Sequence, residues 1–101
     1  MIGRLWIGRT ESADADAYEE LLRDDLPDVA KLEGSRGAYV MRLDADGAVE
    51  FVTLTLFDSI EAIRGFAGDE EDVPVIEPRA AELLAAYDER VRHFEVVVAP
   101  D

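Results

Sequence analysis

The stretch Val49–Phe57, V-E-F-V-T-L-T-L-F, decides the fold of this chain. Its side chains alternate with a period of two, which is typical of a β-strand, and both of its faces are apolar enough to be covered. The tight turn Asp44-Ala-Asp-Gly47 precedes it, and a second strand-like stretch, Ala38–Leu43, precedes the turn. Because glycine tolerates the positive φ that such turns need, we expect the two stretches to pair as an antiparallel hairpin.

Helix and strand patterns alternate on either side of this hairpin. Ser12 is the predicted N-cap of a first helix, and Pro27 either ends this helix or starts a short extra turn. Asp58-Ser-Ile-Glu61 resembles a capping box, and Pro78 suits the first turn of a third helix. The predicted elements are, in order, a strand over Ile2–Arg9, a helix from Ser12, strands over Ala38–Leu43 and Val49–Phe57, a short helix through Ile60, Ile63 and Phe66, a third helix through Ala80, Leu83, Leu84 and Tyr87, and a strand over Arg90–Val98.

The order β-α-β-β-α-α-β predicts an α+β fold of the ferredoxin-like, split β-α-β class, as a single domain over residues 1–101. Four antiparallel strands in the order 4-1-3-2 would carry the helices on one face. The opposite face would be apolar, through the sets Leu5/Ile7, Val52/Leu54/Leu56 and Phe94/Val96/Val98. An apolar surface of this extent marks an interface, so we expect a homodimer in which two sheets pack face to face.

The composition excludes several classes of protein. The chain has 101 residues, of which 24 are Asp or Glu and 10 are Lys or Arg, and its net charge is −14. This charge repels phosphate backbones and anionic membrane surfaces, so we expect neither nucleic acid nor a membrane as a partner. The chain has no Cys for a disulfide or a thiolate site, and no apolar run approaches the roughly 20 residues that span a bilayer. We therefore expect a cytoplasmic protein.

Four runs of the sequence carry a resemblance to a known family. They are M-I-G-R-L-W-I-G-R at 1–9, G-S-R-G-A-Y at 34–39, the run 51–68 and V-R-H-F-E-V-V at 91–97. In this order they resemble the small antibiotic biosynthesis monooxygenase-like proteins. The resemblance implies a dimeric α+β barrel built from two ferredoxin-like protomers. It also implies a range of activities, from the cofactor-free oxidation of aromatic polyketides to haem degradation, and the family includes members without assigned activity.

Two departures from the family pattern bear on the chemistry. Phe57 occupies a position that is often Trp in the family, where the Trp is functional in the oxygenases, and Phe has no indole N–H. The haem-degrading branch uses a His on the helix after the second crossover begins and an Asn on the first strand. This chain has no His between Ala67 and Tyr87 and no Asn at all. We therefore expect neither haem nor another cofactor.

The candidate site residues lie on the predicted strands. His93, the only His, is the candidate catalytic base, and the alternative is a structural His that satisfies a buried partner. Trp6, Tyr39 and Phe57 are predicted to line an aromatic cavity on the face turned to the helices, and the alternative is ordinary core packing. Arg4 would stabilise an anionic ligand there, unless it forms an ion pair. No group of residues has the spacing of a metal site, so we expect no metal.

Two functions of different classes are compatible with these residues. The first is a cofactor-independent monooxygenase that acts on a small aromatic or polyketide-type substrate. His93 would be its base, Arg4 or Tyr39 the partner of the anion, and Trp6 and Phe57 the walls. The alternative is a non-catalytic dimeric module that binds a small ligand or acts in stress tolerance. An open cavity beside His93 favours the first function, and a closed, fully packed interior favours the second.

Overall fold

Eight elements follow one another in the part of the chain that the structure describes. The structure is a computed structural model that describes residues 1–100. The elements are β1 (Ile2–Glu11), α1 (Ser12–Ala30), β2 (Ser35–Ala45), β3 (Ala48–Phe57), α2 (Ile60–Ala67), α3 (Pro78–Leu83), β4 (Leu84–Tyr87) and β5 (Arg92–Glu95).

The sheet confirms the predicted topology and adds a strand. β2 and β3 form the predicted hairpin, with Ala45 opposite Ala48 and a φ of 76° at Gly47. β1 pairs antiparallel with β3 on one side and with β4 and β5 on the other. The α+β, ferredoxin-like class is thus confirmed. The expected number of strands is wrong, because the sheet within residues 1–100 has five strands and not four.

The additional strand comes from residues whose spacing predicts a helix. α3 ends at Leu83, and Leu84–Tyr87 forms β4 instead of a further helical turn. The additional strand forms because β5 pairs only with the first half of β1, Ile2–Leu5. β4 supplies backbone partners for the second half and pairs Leu84 with Thr10. The hydrogen-bonding demand of an open strand edge therefore overrides a local helical pattern.

The helix boundaries differ from the predicted ones by small amounts. α1 continues through Pro27 to Ala30, so the proline does not end the helix, and its N-cap is Glu11 instead of Ser12. α2 begins after Ser59, whose Oγ accepts a hydrogen bond from the N–H of Ala62 at 3.2 Å. No helix within residues 1–100 is both long enough and apolar enough to cross a membrane.

The core lies between the sheet and the helices. Tyr18 of α1 packs edge-on against Phe51 of β3, with ring centroids 4.8 Å apart, and burial raises the pKa of the Tyr18 phenol to about 12. The register places Arg4 of β1 between Thr55 of β3 and His93 of β5, so these three residues share the face turned to the helices. The other buried apolar residues are Ala15, Val49, Phe57, Ile63, Ala80, Leu83 and Val91.

The opposite face of the sheet, which we call the outer face, is exposed over β2 and β5. Tyr39, Met41 and Leu43 are 59%, 50% and 62% exposed, and Phe94 is 45% exposed. The register pairs Tyr39 with Leu54, which fixes both side chains on this face. The prediction that Tyr39 converges with the aromatic residues beneath the helices is therefore wrong. The register with β3 determines which residues of β2 face outward. The sequence analysis assigned Tyr39 to the opposite face, the one turned to the helices.

Candidate ligand-binding site

A cavity of about 150 Å³ opens between α1, the helix-facing side of the sheet and the segment 68–77. We call this segment, which joins α2 to α3, the cover segment. Small-molecule sites usually measure about 300–1,000 Å³, but an apolar cavity of roughly 150 Å³ holds one benzene ring. The volume therefore suits a single aromatic ring. The walls are mainly apolar and include Arg4, Trp6, Tyr18, Leu22, Leu26, Thr53, Thr55, Phe66, Val75 and Ile76.

Arg4 lies at the sheet side of this cavity, and only 5% of its surface is exposed. Its Nη1 donates to the carbonyl oxygen of Glu71 and, at 2.9 Å, to Nε2 of His93. Its Nη2 donates to the carbonyl oxygen of Val73 at 3.0 Å, and the guanidinium lies 5.7 Å from the centre of the Phe66 ring. Arg4 thus fastens the cover segment to the sheet.

Two N–H groups of Arg4 remain for a ligand. A guanidinium has five N–H donors, and these contacts occupy three of them. Nε–H and one N–H of Nη2 have no hydrogen-bond partner among residues 1–100. Burial lowers the pKa of Arg4, and the charges of Asp72 and Glu71 oppose this effect, but an arginine side chain stays protonated in proteins. The cavity therefore offers a fixed positive charge that suits a carboxylate, phenolate or enolate oxygen.

His93 lies behind Arg4 and is not among the residues that line the cavity. Because Nε2 accepts a hydrogen bond from Arg4, the proton of the neutral ring belongs on Nδ1, which lies 3.6 Å from Oδ1 of Asp72. Burial and the positive charge of Arg4 lower the pKa of His93, against the opposing charges of Asp72 and Glu71. This geometry makes His93 a support for Arg4. Its role as a base stays a prediction.

We expect the His93 imidazole to titrate below its ordinary pKa of 6.5, because burial disfavours the charged ring and a second ring proton would point at Arg4. The unfolded chain then binds this proton more tightly than the folded chain. The contribution of His93 to the unfolding free energy is therefore present above the unfolded pKa, and it decreases as the pH falls below about 6.5. Since the chain has one His, its ring protons give one set of NMR signals to follow. A midpoint above 6.5 in the folded protein would contradict the described contact.

The structure brings Trp6 and Arg4 together at the cavity, but not Phe57 or Tyr39. Trp6 lines the cavity, its Nε1 donates to the carbonyl oxygen of Asp88 at 2.7 Å, and its ring lies 5.7 Å from that of Tyr87. Phe57 is completely buried in the core. The ring of Phe66 packs against the ring of Phe57, with centroids 6.0 Å apart, and Phe66 rather than Phe57 lines the cavity. The predicted contact of Phe57 with a ligand is therefore not supported.

Three residues stand out among those of the cavity wall that the sequence analysis did not recognise as site residues. Phe66 belongs to the predicted apolar stripe of α2, and its spacing gives no sign that one side of the ring faces a cavity. Asp25 of α1 and Glu77, the N-cap of α3, also line it. These two residues are 52 positions apart, and in an acidic chain a carboxylate carries no sequence signal of its own.

Solved structures of other proteins have the same architecture. A protein from Deinococcus radiodurans, provisionally described as an antibiotic biosynthesis monooxygenase, matches 100% of this chain and 97% of its own, with a TM-score of 0.69 and 14% identity. A protein of the same description from Bacillus cereus matches 99% of this chain and 96% of its own, with a TM-score of 0.67 and 15% identity. This chain has their fold. No protein-family model and no curated protein matches the sequence.

A haem degrader from Mycobacterium tuberculosis, whose structure holds two haems in its active site, also has this fold. It matches 100% of both chains, with a TM-score of 0.67 and 16% identity. The residues of the present cavity do not fit haem. The one His has its Nε2 bonded to Arg4, and a volume of about 150 Å³ is far too small for a tetrapyrrole. No group of three or more potential metal ligands occurs within residues 1–100 either.

Proposed function

We propose that the chain is a cofactor-independent monooxygenase whose substrate is a single-ring, electron-rich phenol. The observation that carries this proposal is the buried guanidinium of Arg4, which lines a mainly apolar cavity of about 150 Å³ and has two N–H groups without a partner among residues 1–100. A phenolate or enolate matches both the positive charge and the apolar walls. The fold shared with proteins provisionally described as antibiotic biosynthesis monooxygenases supports the same class of reaction.

In this reaction the substrate itself supplies the electrons. Arg4 stabilises the phenolate, so the hydroxyl proton leaves at a lower pH than it does in water. Dioxygen oxidises the electron-rich ring: one oxygen atom forms a bond to a ring carbon, and the other leaves as water with two hydrogens of the substrate. A phenol and dioxygen thus give a quinone and water, and no further reductant is needed.

The remaining candidate residues receive supporting roles in this proposal. Trp6 and Phe66 hold the ring of the substrate from the side and keep water away from it. His93 is a positioning residue, because its Nε2 orients the guanidinium of Arg4. For His93 to act as the base, this nitrogen would have to exchange its bond with Arg4 for one with the substrate hydroxyl.

The test uses phloroglucinol, a single-ring and readily enolised phenol. Trp6 is the only Trp and lines the cavity, so quenching of its fluorescence reports binding. An oxygen electrode and quinone absorbance report turnover, with heat-denatured protein and a metal chelator as controls. We expect one dioxygen to be consumed for each quinone formed. Failure of phloroglucinol and of simpler phenols to bind would overturn the proposal.

A non-catalytic ligand-binding module is the second candidate function. The observation in its favour is that the ring nitrogen of His93 that carries the lone pair already accepts a hydrogen bond from Arg4. A site without a free base has no group that takes the hydroxyl proton from the bound phenol. Saturable quenching of Trp6 without oxygen uptake would support this candidate and exclude the monooxygenase.

We infer that a second copy of this chain covers the outer face. Tyr39, Met41, Leu43 and Phe94 are large apolar residues that are all at least 45% exposed there. This face is mainly apolar, and its Glu50, opposite Leu43, is paired with Arg9 at 3.0 Å. Such a face is suited to pack on itself around a two-fold axis, in a chain whose net charge of −14 repels contact elsewhere.

Leu43→Arg is expected to dissociate this dimer, because two copies of the new charge would be buried at the interface, where the neighbouring Glu50 already pairs with Arg9. Leu43 is 62% exposed in the single chain, so the fold itself should tolerate the change. Sedimentation at micromolar concentration should give a dimer for the natural sequence and a monomer for Leu43→Arg. Ala17→Arg, on the exposed side of α1, serves as the control and should remain dimeric. A monomer for the natural sequence would refute the inference.

A further inference from the structure

We propose that the cavity selects a ligand with two different ends, an acidic oxygen that binds Arg4 and a cationic amine that binds the carboxyl pair of Asp25 and Glu77. The proposal rests on the proposed function, in that the same cavity is the ligand site, and it adds the chemical class of the ligand. Phenols with a short ammonium-bearing side chain belong to this class.

The carboxyl pair is contributed by two elements that meet at the cavity. Asp25 belongs to α1, Glu77 is the N-cap residue of α3, and both line the same cavity as Arg4. Their carboxyl groups lie close enough for Asp25 to affect the ionisation of Glu77. Within residues 1–100 neither carboxylate forms an ion pair with a basic side chain, and Glu77 makes no capping hydrogen bond. The cavity wall therefore carries two adjacent acids that are not ion-paired.

Adjacent carboxylates repel one another unless a proton or a cation lies between them. The contact with Asp25, followed by desolvation, raises the pKa of Glu77, which indicates that Glu77 retains its proton more readily than an isolated glutamate does. The basic residues nearby already have partners, since Arg23 pairs with Glu19 and Arg79 with Glu82. The other charged residues close to the pair in sequence are Arg23, Asp24 and Asp28 of α1 and Arg79 and Glu82 of α3, and Arg4 of β1 lines the same cavity.

Arg4 is the independent observation that makes this acidic pair part of a site. It is 5% exposed, lines the same cavity and has two N–H groups without a partner among residues 1–100. It belongs to the sheet, whereas the acids belong to the helical layer, so the two charges lie on different walls. Because two carboxylates are too few to hold a metal ion on their own, an organic ammonium group is the better match. A ligand between these walls needs an anionic and a cationic end.

The experiment compares three phenols that differ in the charge of one side chain. They are tyramine, which is cationic, 4-ethylphenol, which is neutral, and 3-(4-hydroxyphenyl)propionate, which is anionic. Quenching of Trp6 fluorescence gives the affinity of each. We expect tyramine to bind about fivefold more tightly than 4-ethylphenol, and the propionate about fivefold more weakly, since partly exposed ion pairs have effects of this size.

A matched pair of double variants separates the carboxyl pair from the overall charge. Asp25→Asn with Glu77→Gln should bring the three affinities together. Asp24→Asn with Glu82→Gln removes the same two charges from exposed positions of the same helices, and it should leave the order unchanged. At mildly acidic pH, near 5, tyramine binding should also release a proton from the natural pair, which calorimetry in two buffers detects.

The outcomes distinguish this inference from the proposed function. Equal affinities of the natural protein for the three phenols would overturn the selection for a cation while phenol binding stands. The selection for a cation is also overturned if the order of affinities persists in the Asp25→Asn, Glu77→Gln double variant. If none of the three phenols binds, both the inference and the proposed function are wrong.

Discussion

Arg4→Met is expected to remove ligand binding and to lower the free energy of unfolding by about 3 kcal/mol. Methionine fills much of the same space, but it donates no hydrogen bond. Three acceptors, Nε2 of His93 and the carbonyl oxygens of Glu71 and Val73, then lose their partner. Each unsatisfied buried group costs about 1–3 kcal/mol, and water that enters the cavity reduces the total. The affinity for a phenolate should fall on the order of 100-fold, because charge-assisted bonds are lost.

Two further variants make this result interpretable. Arg4→Lys keeps the charge and loses the planar fork, so it should bind an anion weakly and hold the cover segment poorly. Arg92→Met removes an exposed arginine of the same sheet and should change stability by less than about 0.5 kcal/mol. Urea unfolding and Trp6 quenching measure both properties. A folded Arg4→Met protein with unchanged affinity would mean that Arg4 only supports the structure.

Phe57→Ala is expected to cost about 3–5 kcal/mol of stability and to leave the affinity of the remaining folded protein nearly unchanged. The reason is that Phe57 is completely buried and does not line the cavity. Its ring lies between the sheet and Phe66, so its removal leaves a void in the core. Phe57→Leu retains most of the volume and should cost less than about 1.5 kcal/mol.

The comparison with Phe94 shows whether this effect comes from burial. Phe94 lies on the outer face and is 45% exposed, so Phe94→Ala should cost far less stability in the monomer than Phe57→Ala does. Denaturant midpoints and binding are measured for both proteins. A Phe57→Ala protein that keeps its stability and loses ligand binding would show instead that Phe57 contacts the ligand, as the sequence analysis expected.

Periodicity made most of the fold predictable. Val49–Phe57 alternates so strictly that its strand and its hairpin partner follow from local chemistry alone. The strand Leu84–Tyr87 was not predictable in this way. These residues form a strand only because they pair with the open edge of β1, and that edge exists only once the sheet has formed. Propensity within a short window contains no information about a partner strand that lies more than seventy positions earlier.

The site was predictable where one strand determines it. The alternation within β1 correctly placed Arg4 and Trp6 on the face turned to the helices. Tyr39 was misplaced because its orientation depends on the register between two strands, and a shift of one residue exchanges the two faces. Asp25 and Glu77 were not recognised because α1 and the cover segment meet only in the folded chain.

The contacts of Arg4 also bear on the order in which the protein can form. Its three partners lie 67, 69 and 89 positions further along the chain, so a single side chain joins segments that are synthesised long after it. Closing such long loops is entropically slow and is rewarded only when the other contacts are in place. A nascent chain that has not yet released Arg92–Glu95 therefore has a sheet without a finished binding site. Competence to bind a ligand arises at the end of folding, together with the docking of the last strand.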